Sequence, residues 1–254
     1  MTDDDAMNAS DTERSWSRSL AWLLAIAFLV ATVITMLLNF NITASEPVFG
    51  QGDEVFVDNI LIDLANQQER WPQDLAANLL FAIGFAAVAG LGATLPRLLG
   101  ADDGRARLMA AAFVVAGTLG VVGELVYIGV AEAGINAQYC ECALRDAQLI
   151  SRGEGLNLVA NAVGWLTDGF AVVLGVGLFA AAGLARGGSV MTSGWTTYTR
   201  WMGVAAVAFV LIGRLLTFLS SAENDLSVAG IALVAIVAGV LTPIWGIWTA
   251  RSLA

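Results

Sequence analysis

Residues 108–130 read LMAAAFVVAGTLGVVGELVYIGV, an apolar run broken by a single charge, Glu124. A stretch of about 18 or more apolar residues is long enough to cross a bilayer as a helix. The same test applied outward along the chain finds five more such stretches. They are Ser19–Phe40, Leu75–Leu95, Leu156–Ala185, Trp201–Leu219 and Leu226–Ala250, and the first, second and last of the six hold no charge at all. The expected fold is therefore all-α, a polytopic membrane bundle of six transmembrane helices. Of the 254 residues, 57% are hydrophobic and only 13% charged, against roughly a quarter charged in a soluble domain. Nearly the whole chain is read as one membrane domain over residues 18–254, with no room for a soluble catalytic domain.

Residues 1–17 contain Asp3, Asp4, Asp5, Asp11 and Glu13 and read as a solvated, disordered, cytoplasmic acidic tail. The apolar run from Leu20 to Leu38 exceeds the roughly 7–15 residues of a signal-peptide core, and its upstream flank is mostly acidic. A retained signal anchor fits it better.

Threading follows from arginine. With the N-terminus inside, cytoplasmic segments carry Arg14, Arg18, Arg97, Arg105, Arg107, Arg186, Arg200 and Arg251, and outer loops only Arg70, Arg145 and Arg152. Six spans return the C-terminus to the inside. The outer loops hold 13 Asp and Glu against 3 Arg, which sums to the whole net charge of −10. This acidic outer face argues against nucleic acid as a partner, whose phosphates it would repel. The chain has no histidine, and its twelve basic residues are all arginine. Together with the Ala/Gly/Val richness, this composition fits a high-GC prokaryote, halophilic or actinobacterial, and a multi-pass protein of the cell membrane.

Between the first two spans, Glu54–Arg70 places Val57, Ile60, Leu61 and Leu64 on one side of a helix. The spacing predicts an amphipathic helix on the outer surface or capping the bundle, ended by Trp71-Pro72, with Asp74 capping the next helix. Arg186–Arg200, with Gly187, Gly188 and Gly194, is expected as a mobile inner loop. Pro243 is expected to kink the last span near Thr242. Short connections make sequential helices antiparallel neighbours. Ala116 and Gly120, like Gly164, Ala171 and Gly175, offer small faces for close helix packing.

Three charges lie inside the spans: Glu124, Asp168 and Arg214. A charge in hydrocarbon costs about 2.5–3.5 kcal/mol on insertion scales unless it is partnered or hydrated. At 1.5 Å per residue the three sit roughly 12, 18 and 13 Å from the outer ends of their helices. Their spans are consecutive, so a polar cluster is geometrically reasonable, and Tyr127 and Asn161 share the helical faces of Glu124 and Asp168. Three readings stay open: a relay or pocket for an ion or small solute, a buried ion pair pinning helices, or separate charges snorkelling outward.

Cys140 and Cys142 lie in the loop after the third span. They are read as free or intermolecular thiols, a small strained disulfide, or a weak thiophilic ion site. Asn41-Ile42-Thr43 matches a glycosylation pattern but abuts the membrane. Without lysine there is no retinal Schiff base; without histidine there is no usual haem ligation, zinc–histidine site or Ser–His dyad. No phosphate-binding loop appears, Gly90-Leu91-Gly92 being interior to a span. No cofactor, no metal and no enzymatic activity are expected.

The layout, with its long loop after span one, Leu95-Pro96-Arg97, Tyr198-Thr199-Arg200-Trp201 and a closing Pro243-Ile244-Trp245-Gly246-Ile247-Trp248, resembles a large, functionally uncharacterised family of six-span prokaryotic membrane proteins. That resemblance implies a fold and no activity. The functional expectation is a non-enzymatic membrane protein handling a small solute or ion through the intramembrane cluster. The alternative is a structural or accessory subunit whose charges only hold the bundle together. Implied partners are the lipid bilayer, a small ion or solute, and a second copy or a membrane partner subunit.

Overall fold

The computed structural model describes residues 3–40, 53–99, 104–139, 146–186, 190–219 and 227–254. These form α1 (Asp3–Phe40), α2 (Asp53–Leu98), α3 (Gly104–Tyr139), α4 (Asp146–Ala185), α5 (Ser193–Leu219), α6 (Ser227–Ile236) and α7 (Thr242–Ser252). One π-helical turn, Val237–Leu241, joins α6 to α7, so the two read as a single interrupted span. Six helical stretches are long and apolar enough to cross a membrane: Asp11–Leu37, Arg70–Leu98, Gly104–Gly129, Ala162–Ala185, Ser193–Leu219 and Ala232–Ser252. The chain is an all-α, multi-pass membrane protein.

Each span packs against the next in sequence, and α7 packs back against α1, which closes the bundle into a ring. The ring has no open centre at the level of its aromatic residues. Phe28, Phe85, Phe113, Phe170, Trp195 and Trp245 are all at most 3% exposed. Phe85 meets Phe28 and Phe170 edge-on at 4.9 and 4.5 Å between ring centroids, and Phe113 meets Trp245 at 5.7 Å. Edge-to-face stacking at these separations is a favourable arrangement of aromatic quadrupoles. Leu23, Ile26, Val33, Leu211, Leu215 and Phe218 point outward instead, as a surface solvated by lipid requires.

Small residues set the helix spacing. A Cβ added to Gly213 would lie 2.7 Å from the Gly230 carbonyl oxygen, so α5 and α6 touch backbone to backbone. The same approach joins α4 to α5, where a Cβ on Gly175 would sit 2.7 Å from the carbonyl oxygen of Gly203. A Cβ on Gly120 would collide with the Phe85 ring. Lipid supplies no hydrophobic drive for such contacts, so close van der Waals approach has to.

Four details depart from expectation. The acidic tail is helical from Asp3 onward. Its end is held: Ser17 is fully buried and donates to Thr94 Oγ1 at 2.7 Å, and Arg97 reaches Glu13 at 2.9 Å. These two side-chain bonds tie Glu13 and Ser17 to α2. Second, α2 runs unbroken through Pro72; the loop helix expected to stop there is continuous with span two. A proline removes one intrahelical bond and bends a helix without having to end it. Third, α5 begins at Ser193, inside the expected loop, because Thr192 Oγ1 accepts the Trp195 backbone N–H at 3.2 Å as an N-cap. Fourth, the irregularity around Pro243 is the π turn, in which both the Thr242 backbone N–H and its hydroxyl donate to the Val237 carbonyl. Asn41, Cys140, Cys142, Gly187 and Gly188 lie outside the described residues.

Candidate functional site

α4 presents Gly164, Trp165 and Asp168 across one turn, and α5 answers with Arg214. The arginine Nε donates to Asp168 Oδ2. Its guanidinium carbon lies 4.3 Å from the centre of the Trp165 ring. One terminal nitrogen, Nη2, stands 3.5 Å from where a Cβ on Gly164 would be. Each neighbour has a separate job. Asp168 neutralises the charge, Trp165 covers one face of the guanidinium with its π-system, and Gly164 leaves space beneath. A cation–π contact at an exposed site adds about 0.5–1 kcal/mol to the ion pair.

The burial is uneven. The Asp168 side chain is 9% exposed and that of Arg214 35%. The carboxylate therefore faces the bundle and the arginine approaches from its periphery, under the largely exposed Trp165.

Two of the three intramembrane charges are thus brought together, and the third stands apart. Glu124, on α3, is half-buried, and among the described residues it has no hydrogen-bond or ion-pair partner. Its neighbour Gly123 faces α4, with a Cβ there lying 3.6 Å from that of Leu166. Tyr127 is half-buried on α3. Asn161 falls on α4, but its side chain lies outside the described residues. Among the described residues no group of three or more Cys, Asp or Glu side chains could hold a metal ion.

Comparison with protein-family models, with curated proteins and with solved structures gives no match in any of the three.

A second polar centre, at the arginine-rich end of the bundle, went unmarked in the sequence. The Trp195 indole N–H donates to Thr249 Oγ1 at 2.8 Å, and the Trp245 indole N–H donates to Thr199 Oγ1 at 3.0 Å. All four residues are fully buried. Tyr198 adds a hydroxyl bond to the Leu241 carbonyl at 3.0 Å. α5 and α7 are thereby cross-stitched by two reciprocal Trp–Thr bonds. A signal was available: each helix repeats Trp and Thr four residues apart, Trp195 with Thr199 and Trp245 with Thr249. That spacing puts both on one helical face. Without charge, threonine in an apolar run attracts no notice.

Proposed function

We propose that this chain is a non-enzymatic, multi-pass protein of a prokaryotic cell membrane that serves as a structural or accessory subunit. The observation that carries the reading is the filled interior. Phe28, Phe85, Phe113, Phe170, Trp195 and Trp245 stack across the ring where a solute path would have to run. The Asp168–Arg214 pair supports it, because each charge has taken the other as its partner and α4 is thereby tied to α5. We place both termini in the cytoplasm and the acidic loops outside, on the arginine bias. We also place the chain with the uncharacterised six-span family its layout resembles. A second copy or another membrane subunit is the partner such a role implies.

A second reading has one specific observation behind it. Glu124 is a carboxyl group inside a span with no partner among the described residues, and intramembrane acids commonly carry protons or cations. In that reading Glu124 alone handles the ion.

The test is a double-mutant cycle with a flux measurement. Asp168→Asn and Arg214→Leu should each lower stability in a denaturant titration by roughly 2–4 kcal/mol, because each strands the opposite charge. The double variant should recover most of that loss. Wild-type liposomes should pass neither protons nor cations. A proton or cation flux abolished by Glu124→Gln would establish the second reading and overturn the first.

A further inference from the structure

The last span is built in two parts that are held differently. Its inner half, α7, is fixed on two sides. Gly246 lies against Leu24 and Ala25 of α1. The two Trp–Thr bonds, with the Tyr198 and Trp248 rings 5.3 Å apart, hold it to α5. Its outer half, α6, packs on α5, where Gly230 meets Gly213. Among the described residues α6 has no extended contact with α1. The α1 helix meets this span at the π turn, with Thr32 against Gly239. Beyond that point both sides stand open. Met36 of α1 is 50% exposed, and Ala232 and Ala235 of α6 are exposed as well. The ring is therefore shut through its inner half and parted between α1 and α6 through its outer half.

The joint between the two halves lacks a rung. Thr242 gives its N–H to the Val237 carbonyl five residues back, and Pro243 has no N–H to give. The Ala238 carbonyl is thereby left without a donor at either α or π spacing. Helices bend at such interruptions, and π turns recur at functional sites. The other tie of α6 is a glycine pair, which has no side chains to interlock and lets one helix roll on the other. We propose that α6 is a lid, hinged at Val237–Leu241, that swings against α1 and closes the outer half of the ring. A hinge needs only a few residues at the end of an element to absorb the backbone change. Ala232 and Ala235 suit the closing face, because small side chains let membrane helices approach closely. Phe28, one turn inward of Thr32, is fully buried. The motion therefore stops above the aromatic stack and leaves that barrier whole. The lid is independent of the accessory role proposed above.

Spin labels read the two halves separately. Full-length protein carrying Cys140→Ser and Cys142→Ser is labelled at Met36→Cys and Ala232→Cys, and distances are measured in liposomes by pulsed electron resonance. A second pair, Ile26→Cys with Ile244→Cys, reports on the inner half. The outer pair should give two distances, the shorter one belonging to helix axes about 8–10 Å apart. The inner pair should give one. Ala235→Trp places a bulky ring on the closing face, where lipid accommodates it in the open form. This variant should keep its Tm and lose the shorter distance. Pro243→Ala restores the missing N–H and should reduce the two outer distances to one. If Ala235→Trp lowers Tm, the label pairs and Pro243→Ala decide alone. A single outer distance in the wild-type hinge would overturn the proposal. So would two distances in both pairs, a shorter distance that persists in a stable Ala235→Trp, or two outer distances that survive Pro243→Ala.

Discussion

Two threonines, each with a side-chain oxygen buried against another helix, make opposite demands on the protein. Thr249 accepts the Trp195 indole N–H, and both are fully buried. Thr32 Oγ1 is buried against Gly239, where a Cβ would lie 3.1 Å away, and has no hydrogen-bond partner among the described residues. Replacing each by valine keeps the shape and removes the hydroxyl. Thr249→Val should destabilise by about 1–3 kcal/mol, since it leaves a desolvated indole N–H unpaired. Thr32→Val should be neutral or stabilising by up to about 1 kcal/mol, because only an unsatisfied oxygen disappears. An SDS or denaturant titration of the two variants side by side measures the difference, and equal losses would show that Thr32 has a partner after all. At this scale the sequence was partly legible. The Asp168–Arg214 pair follows from opposite charges on consecutive spans. The unequal depths counted along their helices are bridged by the length of the arginine side chain. The Trp165 cover and the Trp–Thr bonds did not follow, since neutral side chains in an apolar run announce no need of a partner.

Among the elements, α5 is tied to three others. It touches α4 at Gly203, α6 at Gly213 and α7 through its Trp–Thr bonds. A valine at Gly213 would drive its Cβ to 2.7 Å from the Gly230 carbonyl oxygen, a backbone atom with nowhere to go. We expect Gly213→Val to cost at least about 1–3 kcal/mol, as overpacking does. Gly104→Val, where no atom lies within 4 Å of an added Cβ, should cost little, and thermal denaturation of the pair tests the contrast. Span positions were readable because hydrocarbon thickness fixes helix length. Helix ends were not. Where helices outrun the apolar windows, as α2 does from Asp53 and α1 from Asp3, hydropathy loses its hold. At α5 a local hydrogen bond, the Thr192 cap, decides the boundary.

In the molecule as a whole, the aromatic stack sets what the ring can do. Phe113 is fully buried and sits between Trp245 and Gly177, where an added Cβ would meet its ring. Phe113→Ala should lower stability by about 3–5 kcal/mol through the cavity it leaves. That cavity is lined by apolar groups and should stay dry, so proteoliposomes of the variant should remain impermeable to protons and to sodium. An induced leak would mean that the stack is a plug in a latent path. The ring order itself was foreseeable from short connections, but its closure was not, because no local pattern tells the last helix to return to the first.

That closure has a temporal side. α1 and α7 meet where Gly246 lies against Leu24 and Ala25, more than two hundred positions apart along the chain. Every other neighbour in the ring can dock as soon as the following hairpin is made. The α1 face must wait, exposed to lipid, until the last span has left the ribosome and entered the membrane. Domains assemble in the order in which they are synthesised, and unfilled surfaces invite wrong partners meanwhile. A second nascent copy offering its own α7 would satisfy the waiting face equally well. The seam between first and last helix is thus the place where crowded synthesis would yield exchanged, intertwined dimers.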